Sequence, residues 1–239
     1  MNAYALTDVG RQRNTNQDYV YITGKPVGNL PNLYIVADGM GGHKAGDLAS
    51  KYAVNTFIEH VKASESTKPV TIISEAIKYT NTKVLELAAS SPDYTGMGTT
   101  FVAVTIYGNS AYIANVGDSR LYVMDKELQQ VTRDHSLVEE MIQLGTIKRS
   151  EARTHEHKNV ITRALGGSES VMPDFFEVEL SNTSRIVMCT DGLTNMVTDE
   201  DIERVVSSGE DIRVKVEKLV EMANVNGGKD NISIIIIEL

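Results

Sequence analysis

The sequence predicts an α+β fold of antiparallel β-sheets covered by α-helices, and three observations predict it. Strand-length apolar runs recur along the chain. Three longer stretches carry instead the spacing of an amphipathic helix. The two kinds of segment arrive in blocks rather than in strict alternation, which argues against a doubly wound parallel sheet.

Residues 19–23 and 33–37 form the first two runs. Ala49, Ala53, Phe57 and Val61 then mark one helix, and Ile73, Ala76, Ile77, Thr80, Val84 and Leu87 a second. Runs at 100–107, 111–116 and 121–124 make a block of strands. Ser136 and Glu139 have capping-box spacing ahead of Val138, Met141, Ile142 and Leu144, so a short helix is expected to start there. From about 144 to 164 the apolar pattern breaks up and charges crowd in with His155 and His157, the mark of a flap-like insertion. Strands follow at 175–180, 185–189 and 232–239, with Ile212, Val216, Leu219 and Ala223 marking a helix before the last. No repeat or linker divides the chain, and a single domain over 1–239 is expected.

At 239 residues with 41% hydrophobic side chains, the chain can bury a sizeable core. Its net charge of −9 argues against nucleic acid as a partner, because phosphate backbones are bound by clustered Lys and Arg. An acidic protein can still act on phosphate esters if bound cations reverse the local field. A lone cysteine, Cys189, cannot close an internal disulfide, which fits a reducing cytoplasm. The N-terminal residues turn polar too early for a signal peptide, and the longest strongly apolar run, 234–237, is too short for membrane insertion. A cytoplasmic monomer is expected.

The residues with chemical promise are aspartates at the ends of apolar runs. Asp38 follows Leu33-Tyr34-Ile35-Val36-Ala37 and precedes Gly39-Met40-Gly41-Gly42-His43. Asp191 follows 185–190 and precedes Gly192, while Asp230 stands between Gly227-Gly228-Lys229 and the last strand. Each alone reads as a turn residue. Together they are expected to meet at one sheet edge, with Asp18 and Asp118 as further members. Packed carboxylates repel unless a cation neutralises them, and an all-oxygen ligand set selects Mg²⁺ or Mn²⁺ over zinc.

Six blocks in order resemble the metal-dependent protein serine/threonine phosphatase family, type 2C, in its bacterial form. They are Arg13-x-x-Asn16-Gln17-Asp18, Val36-Ala37-Asp38-Gly39-Met40-Gly41-Gly42-His43, Met97-Gly98-Thr99-Thr100, Gly117-Asp118-Ser119-Arg120, Asp191-Gly192-Leu193 and Gly228-Lys229-Asp230-Asn231. The resemblance implies a four-layer αββα sandwich with a dinuclear Mn²⁺/Mg²⁺ centre at one end. It implies that Asp38 bridges both ions, that the Gly39 carbonyl binds the first, that Asp191 and Asp230 bind the second, and that Asp18 acts through metal-bound water. Asp118 would hold a third ion; read alone, it is a turn between runs 111–116 and 121–124. Arg13 would hold the substrate phosphate, a role its planar fork suits. The implied reaction is hydrolysis of phosphoserine and phosphothreonine in proteins by direct attack of a metal-bridging water or hydroxide. A cognate serine/threonine kinase and its targets would be the partners.

The chain departs from many relatives at Gln17, where they carry Glu, and at Met40, where eukaryotic members place a His. The leaving-group acid therefore stays open between His43 and water. Rival classes fit less well. The glycine cluster after Asp38 lacks dinucleotide spacing, and no phosphate-loop motif occurs. Six positions after Cys189 stands Asn195 rather than Arg, so the cysteine-phosphatase loop is missing. A two-metal nuclease is disfavoured by the acidic charge, and a regulator without turnover would be expected to lack some of Asp38, Asp191 and Asp230.

Overall fold

The computed structural model describes residues 1–41 and 45–239. Two antiparallel sheets stack face to face, with helices on both outer sides.

The first sheet holds β1 (Asn2–Asp8), β11 (Ile232–Glu238), β10 (Arg185–Cys189), β7 (Arg120–Met124) and β8 (Leu128–Gln130), in that spatial order. The second holds β2 (Asp18–Thr23), β3 (Leu33–Met40), β5 (Phe101–Tyr107), β6 (Ser110–Val116) and β9 (Asp174–Glu179), with the two-residue β4 (Gly98–Thr99) on the end of β3. On the second sheet lie α1 (Ala45–Ala63) and α2 (Pro69–Ala89). The first is covered by α6 (Asp199–Val206) and α7 (Ile212–Val225). Three short helices complete the fold: α3 (Leu137–Gln143), α4 (Arg149–Ala152) and α5 (Asp191–Thr194).

Strand periodicity explains why the central runs are apolar at every position. Successive side chains leave a strand on opposite faces, and here both faces are covered. Along β3, Leu33, Ile35 and Ala37 pack under α1 and α2, while Tyr34 and Val36 face the other sheet. Along β10, Val187 and Cys189 face the outer helices and Ile186 and Met188 the middle layer. In β11, Ile234 and Ile236 alternate in the same way with Ile235 and Ile237. The four-layer expectation is met. Ser136 caps α3 as expected, accepting from the Glu139 amide at 3.3 Å. The Glu139 carboxylate, however, turns away to Arg149 at 2.9 Å, so only half of the box forms.

Asp118 stands in the connection between runs 111–116 and 121–124, and because β6 belongs to one sheet and β7 to the other, that connection is a crossover between sheets. One expectation needs correction: the aspartates do not share one sheet edge. Asp18 and Asp38 come from the second sheet, whereas Asp191 and Asp230 flank the β10–β11 pair of the first. The expected flap contains the short helix α4 and rejoins the body where Ser136 bridges Ile161 and Thr99 bridges Leu165.

Candidate active site

The alternation that builds the middle layer also builds the site. Two residues beyond Val36, on the same face of β3, comes Asp38, and its cross-strand partner on β2 is Asp18. Two residues beyond Met188, on the matching face of the other sheet, comes Thr190, whose hydroxyl donates to Asp18 Oδ2 at 2.9 Å. The apolar layer between the sheets thus ends in a polar rim, and carboxylates from both sheets gather there. Asp191 opens α5 directly after Thr190, and Asp230 precedes β11.

Local backbone fixes the approach. The Asp38 amide donates to Thr100 Oγ1 at 2.9 Å, and its carbonyl accepts from the Thr100 amide at 2.9 Å. Gly39 is required by crowding: a Cβ there would stand 1.9 Å from the Gly46 carbonyl oxygen and 2.6 Å from that of Gln17. No other residue lets α1 and the Arg13 loop come this close to the strand.

Like charges opposed across a strand pair destabilise one another, and burial adds to the cost. Burial pushes the Asp18 carboxyl up to about 7, with Asp191 and Asp230 adding to the rise against the hydrogen bond from Thr190. Burial likewise raises Asp191 to about 6, helped by Asp230 and opposed by Arg120 and Asn195. Asp38 is pushed well above the usual range by burial and then by Asp18, Asp191, Asp118 and Asp230. Asp118 follows, through burial and Asp191.

The oxygens themselves have the character of cation ligands. Asp18 Oδ1 and Asp191 Oδ1 are buried without a hydrogen-bond partner among the described residues. Buried carboxylate oxygens are normally satisfied. Donors of this kind, oxygen-only and anionic, suit a hard divalent ion. Among the described residues no three acidic, His or Cys side chains close around one point by themselves.

Arg13 lies beside the acids, its Nη2 donating to Asp230 Oδ2 at 2.8 Å, with about half of its side chain exposed. His43, the expected acid, lies outside the described residues. His155 and His157 stand with ring centres 5.5 Å apart in the insertion, and His157 is exposed. Cys189 is buried in β10, its thiol pushed up to about 12 by burial, which leaves it without nucleophilic character.

Sequence reasoning gave no part in the site to several neighbours, and gave Asp134 and His135 only the organising of the turn before Ser136. Arg120 grips Asp134 through Nε at 3.0 Å and Nη2 at 2.7 Å, and its Nη1 donates to the Tyr122 hydroxyl. His135 accepts from the Gly117 amide at Nδ1 and faces Asp174 at 3.2 Å through Nε2, so it ties the Asp118 crossover to β9. Asn231, inside the sixth motif block, bonds three backbone groups of the Arg13 loop. A cavity of about 260 Å³ opens between Asp118 and Asp191 on one side and Arg153 and Lys158 of the insertion on the other.

A two-sheet sandwich whose open end gathers acidic oxygens has the donor set of a metal-dependent hydrolase. The protein phosphatase 2C family model matches residues 10–230, and the chain belongs to that family. It is 38% identical over 245 residues to serine/threonine phosphatase Stp of Listeria welshimeri, covering 100% of this chain and 96% of that protein. The serine/threonine phosphatase structure from S. agalactiae superposes with a TM-score of 0.92 at 36% identity, covering 100% of this chain and 99% of that one. The catalytic domain of PstP, solved in complex with two manganese ions, gives 0.86 at 30% identity, covering 98% and 96%.

Proposed function

We propose that the protein is a metal-dependent serine/threonine phosphatase that hydrolyses phosphoserine and phosphothreonine in proteins. The observation that carries the reading is the pair of buried acidic oxygens, on Asp18 and Asp191, left without partners among the described residues at the meeting point of two sheets. On this reading Asp38, the Gly39 carbonyl, Asp191 and Asp230 would hold two ions, and Asp118 would hold a third. Mn²⁺ or Mg²⁺ is the ion such donors select. Bound there, the ions supply a Lewis-acid field that activates water at neutral pH and draws charge from the phosphoryl group.

The chain's own residues do the rest. Thr190 holds one oxygen of Asp18, so the other is presented inward to accept a hydrogen bond at the site. Arg13 offers its remaining guanidinium donors to phosphate oxygens while Asp230 fixes one of them. His43 or water returns the proton to the leaving serine or threonine oxygen. The segment 144–164 sets substrate preference, since Arg153 and Lys158 line the cavity at the acids.

The setting follows from the same reading: one catalytic domain over 1–239, a monomer acting in the cytoplasm opposite a cognate serine/threonine kinase. Among the described residues no helix is long and apolar enough to cross a membrane. The test is dephosphorylation of phosphothreonine and phosphoserine peptides by the purified protein. Activity is expected only with Mn²⁺ or Mg²⁺ and is expected to vanish in Asp38→Ala and Asp191→Ala. Turnover that survives both EDTA and Asp38→Ala would overturn the reading, and preference for a bis-(nitrophenyl) ester over the monoester would favour a nuclease.

A further inference from the structure

The loop that carries Arg13 joins β1 to β2 and buries almost nothing of its own; residues 9–16 are exposed or half-exposed. Its shape must come from elsewhere, and it comes from the turn before β11. Asn231, buried there, donates from Nδ2 to the carbonyls of Val9 and Thr15, each at 2.9 Å. Its Oδ1 accepts from the Gln17 amide at 2.8 Å. One side chain therefore closes the loop on both sides of Arg13. Each bond spans more than two hundred positions of sequence, so none is a by-product of local turn geometry.

The same turn meets the loop along its backbone. The Gly228 carbonyl accepts from the amides of Arg11 at 2.8 Å and Gln12 at 3.1 Å. Gly10, at φ +79°, passes so close that a Cβ would stand 2.2 Å from the Asp230 carbonyl oxygen. The loop and the turn bearing Asp230 thus form one interlocked piece, with Arg13 reaching Asp230 across it. An amide suits the closing position because it offers two donors and an acceptor together; a carboxylate has no donor for the two carbonyls.

We propose that Asn231 is a positioning residue for phosphate recognition, its carboxamide holding the loop in the form that presents Arg13 to the substrate phosphate. The proposal rests on the reading of Arg13 as the phosphate-binding residue. General support of the fold would predict something different. Loss of Asn231 would then lower turnover and stability whether or not Arg13 is present.

The experiment compares Asn231→Ala and Asn231→Ser, each alone and combined with Arg13→Ala, on a phosphothreonine peptide at saturating Mn²⁺. Hydrogen exchange of the loop amides is followed in parallel. Asn231 variants are expected to raise KM about tenfold with kcat changed by less than about threefold, the signature of lost binding rather than lost chemistry. Arg13→Ala is expected to do at least as much, and the double variant no more than Arg13→Ala alone, because residues acting through one group are not additive. Amides of 9–17 should exchange faster while those of β3 and β10 stay protected. Multiplicative effects in the double variant, an unchanged KM, or loop amides as protected as before would overturn the proposal. A silent Arg13→Ala with a loosened loop would overturn it too, by removing the reading of Arg13 on which it rests, and the exchange data tell that failure from a failure of the clamp. Should Asn231→Ala fail to fold, Asn231→Ser carries the same comparison.

Discussion

Two sets of acidic side chains lie close together in this molecule and are treated in opposite ways. Asp134 is gripped by the Arg120 fork, and Asp174 lies between His135 and Arg163 at 3.2 and 3.0 Å. Asp18, Asp38, Asp118 and Asp191 face mainly one another and share no ion pair among the described residues. The first set fastens the crossover and the base of the insertion to the sheets. The second costs stability, and on the proposed function a bound cation would offset that cost. Pairing marks the acids that fasten the fold, and Asp230, paired with Arg13, stands outside the contrast.

The strongest way to break this contrast is Asp38→Asn. It should lower kcat/KM by roughly a thousandfold or more, about 4 kcal/mol of transition-state stabilisation. It should also raise the melting temperature of the chelated protein, since it removes one member of a repelling set. A drop in both quantities would mean that Asp38 supports the fold instead. Arg120→Ala tests the paired set. It leaves Asp134, which is only 14% exposed, with the Gln130 amide but no cation, and should cost about 3 kcal/mol in denaturant unfolding even with metal present.

Removing metal sharpens the contrast through pH. Asp18 and Asp191 stand near 7 and 6 in the folded metal-free protein against 3.8 ordinarily, so between about pH 4 and pH 7 the folded state holds more protons than the unfolded chain. Stability contributed by these groups is complete below that window and is lost as pH rises through it. The gap in melting temperature between protein with Mn²⁺ and protein in EDTA should therefore widen from pH 5 to pH 7. Saturation at a hundred times Kd corresponds to about 2.7 kcal/mol. A gap that narrows would contradict the assignment. The smallest effect concerns Cys189, which should resist thiol reagents in the native protein and react once unfolded; rapid native labelling would show that β10 opens at the site.

The parts legible in sequence are those where one segment carries its own signal. Strands β3, β10 and β11 read clearly because both of their faces are covered, leaving unbroken apolar runs. β1 did not, since its outer position leaves it half-buried with Thr7 and Asp8 at its end. α6 opens with Asp199, Glu200 and Asp201, a charged turn that hides its apolar face. The aspartates stood out because each interrupts or borders an apolar run. Which sheet delivers each one did not, because the β6–β7 crossover is a long-range fact with no local mark. Asn231 sat in plain view inside a motif, yet its partners lie at the far end of the chain.

The pairing of β1 with β11 sets an order of events during synthesis. The helices α1 and α2 and the strands β2, β3, β5 and β6 beneath them can begin to pack once about half the chain has emerged. β1 then waits at the margin, because its neighbour in the sheet is the last strand in chain order. Asp230 and Asn231 come into place with that strand. A growing chain therefore holds Asp18 and Asp38 early and harmlessly, and the cell gains a working hydrolase only as translation of this domain ends.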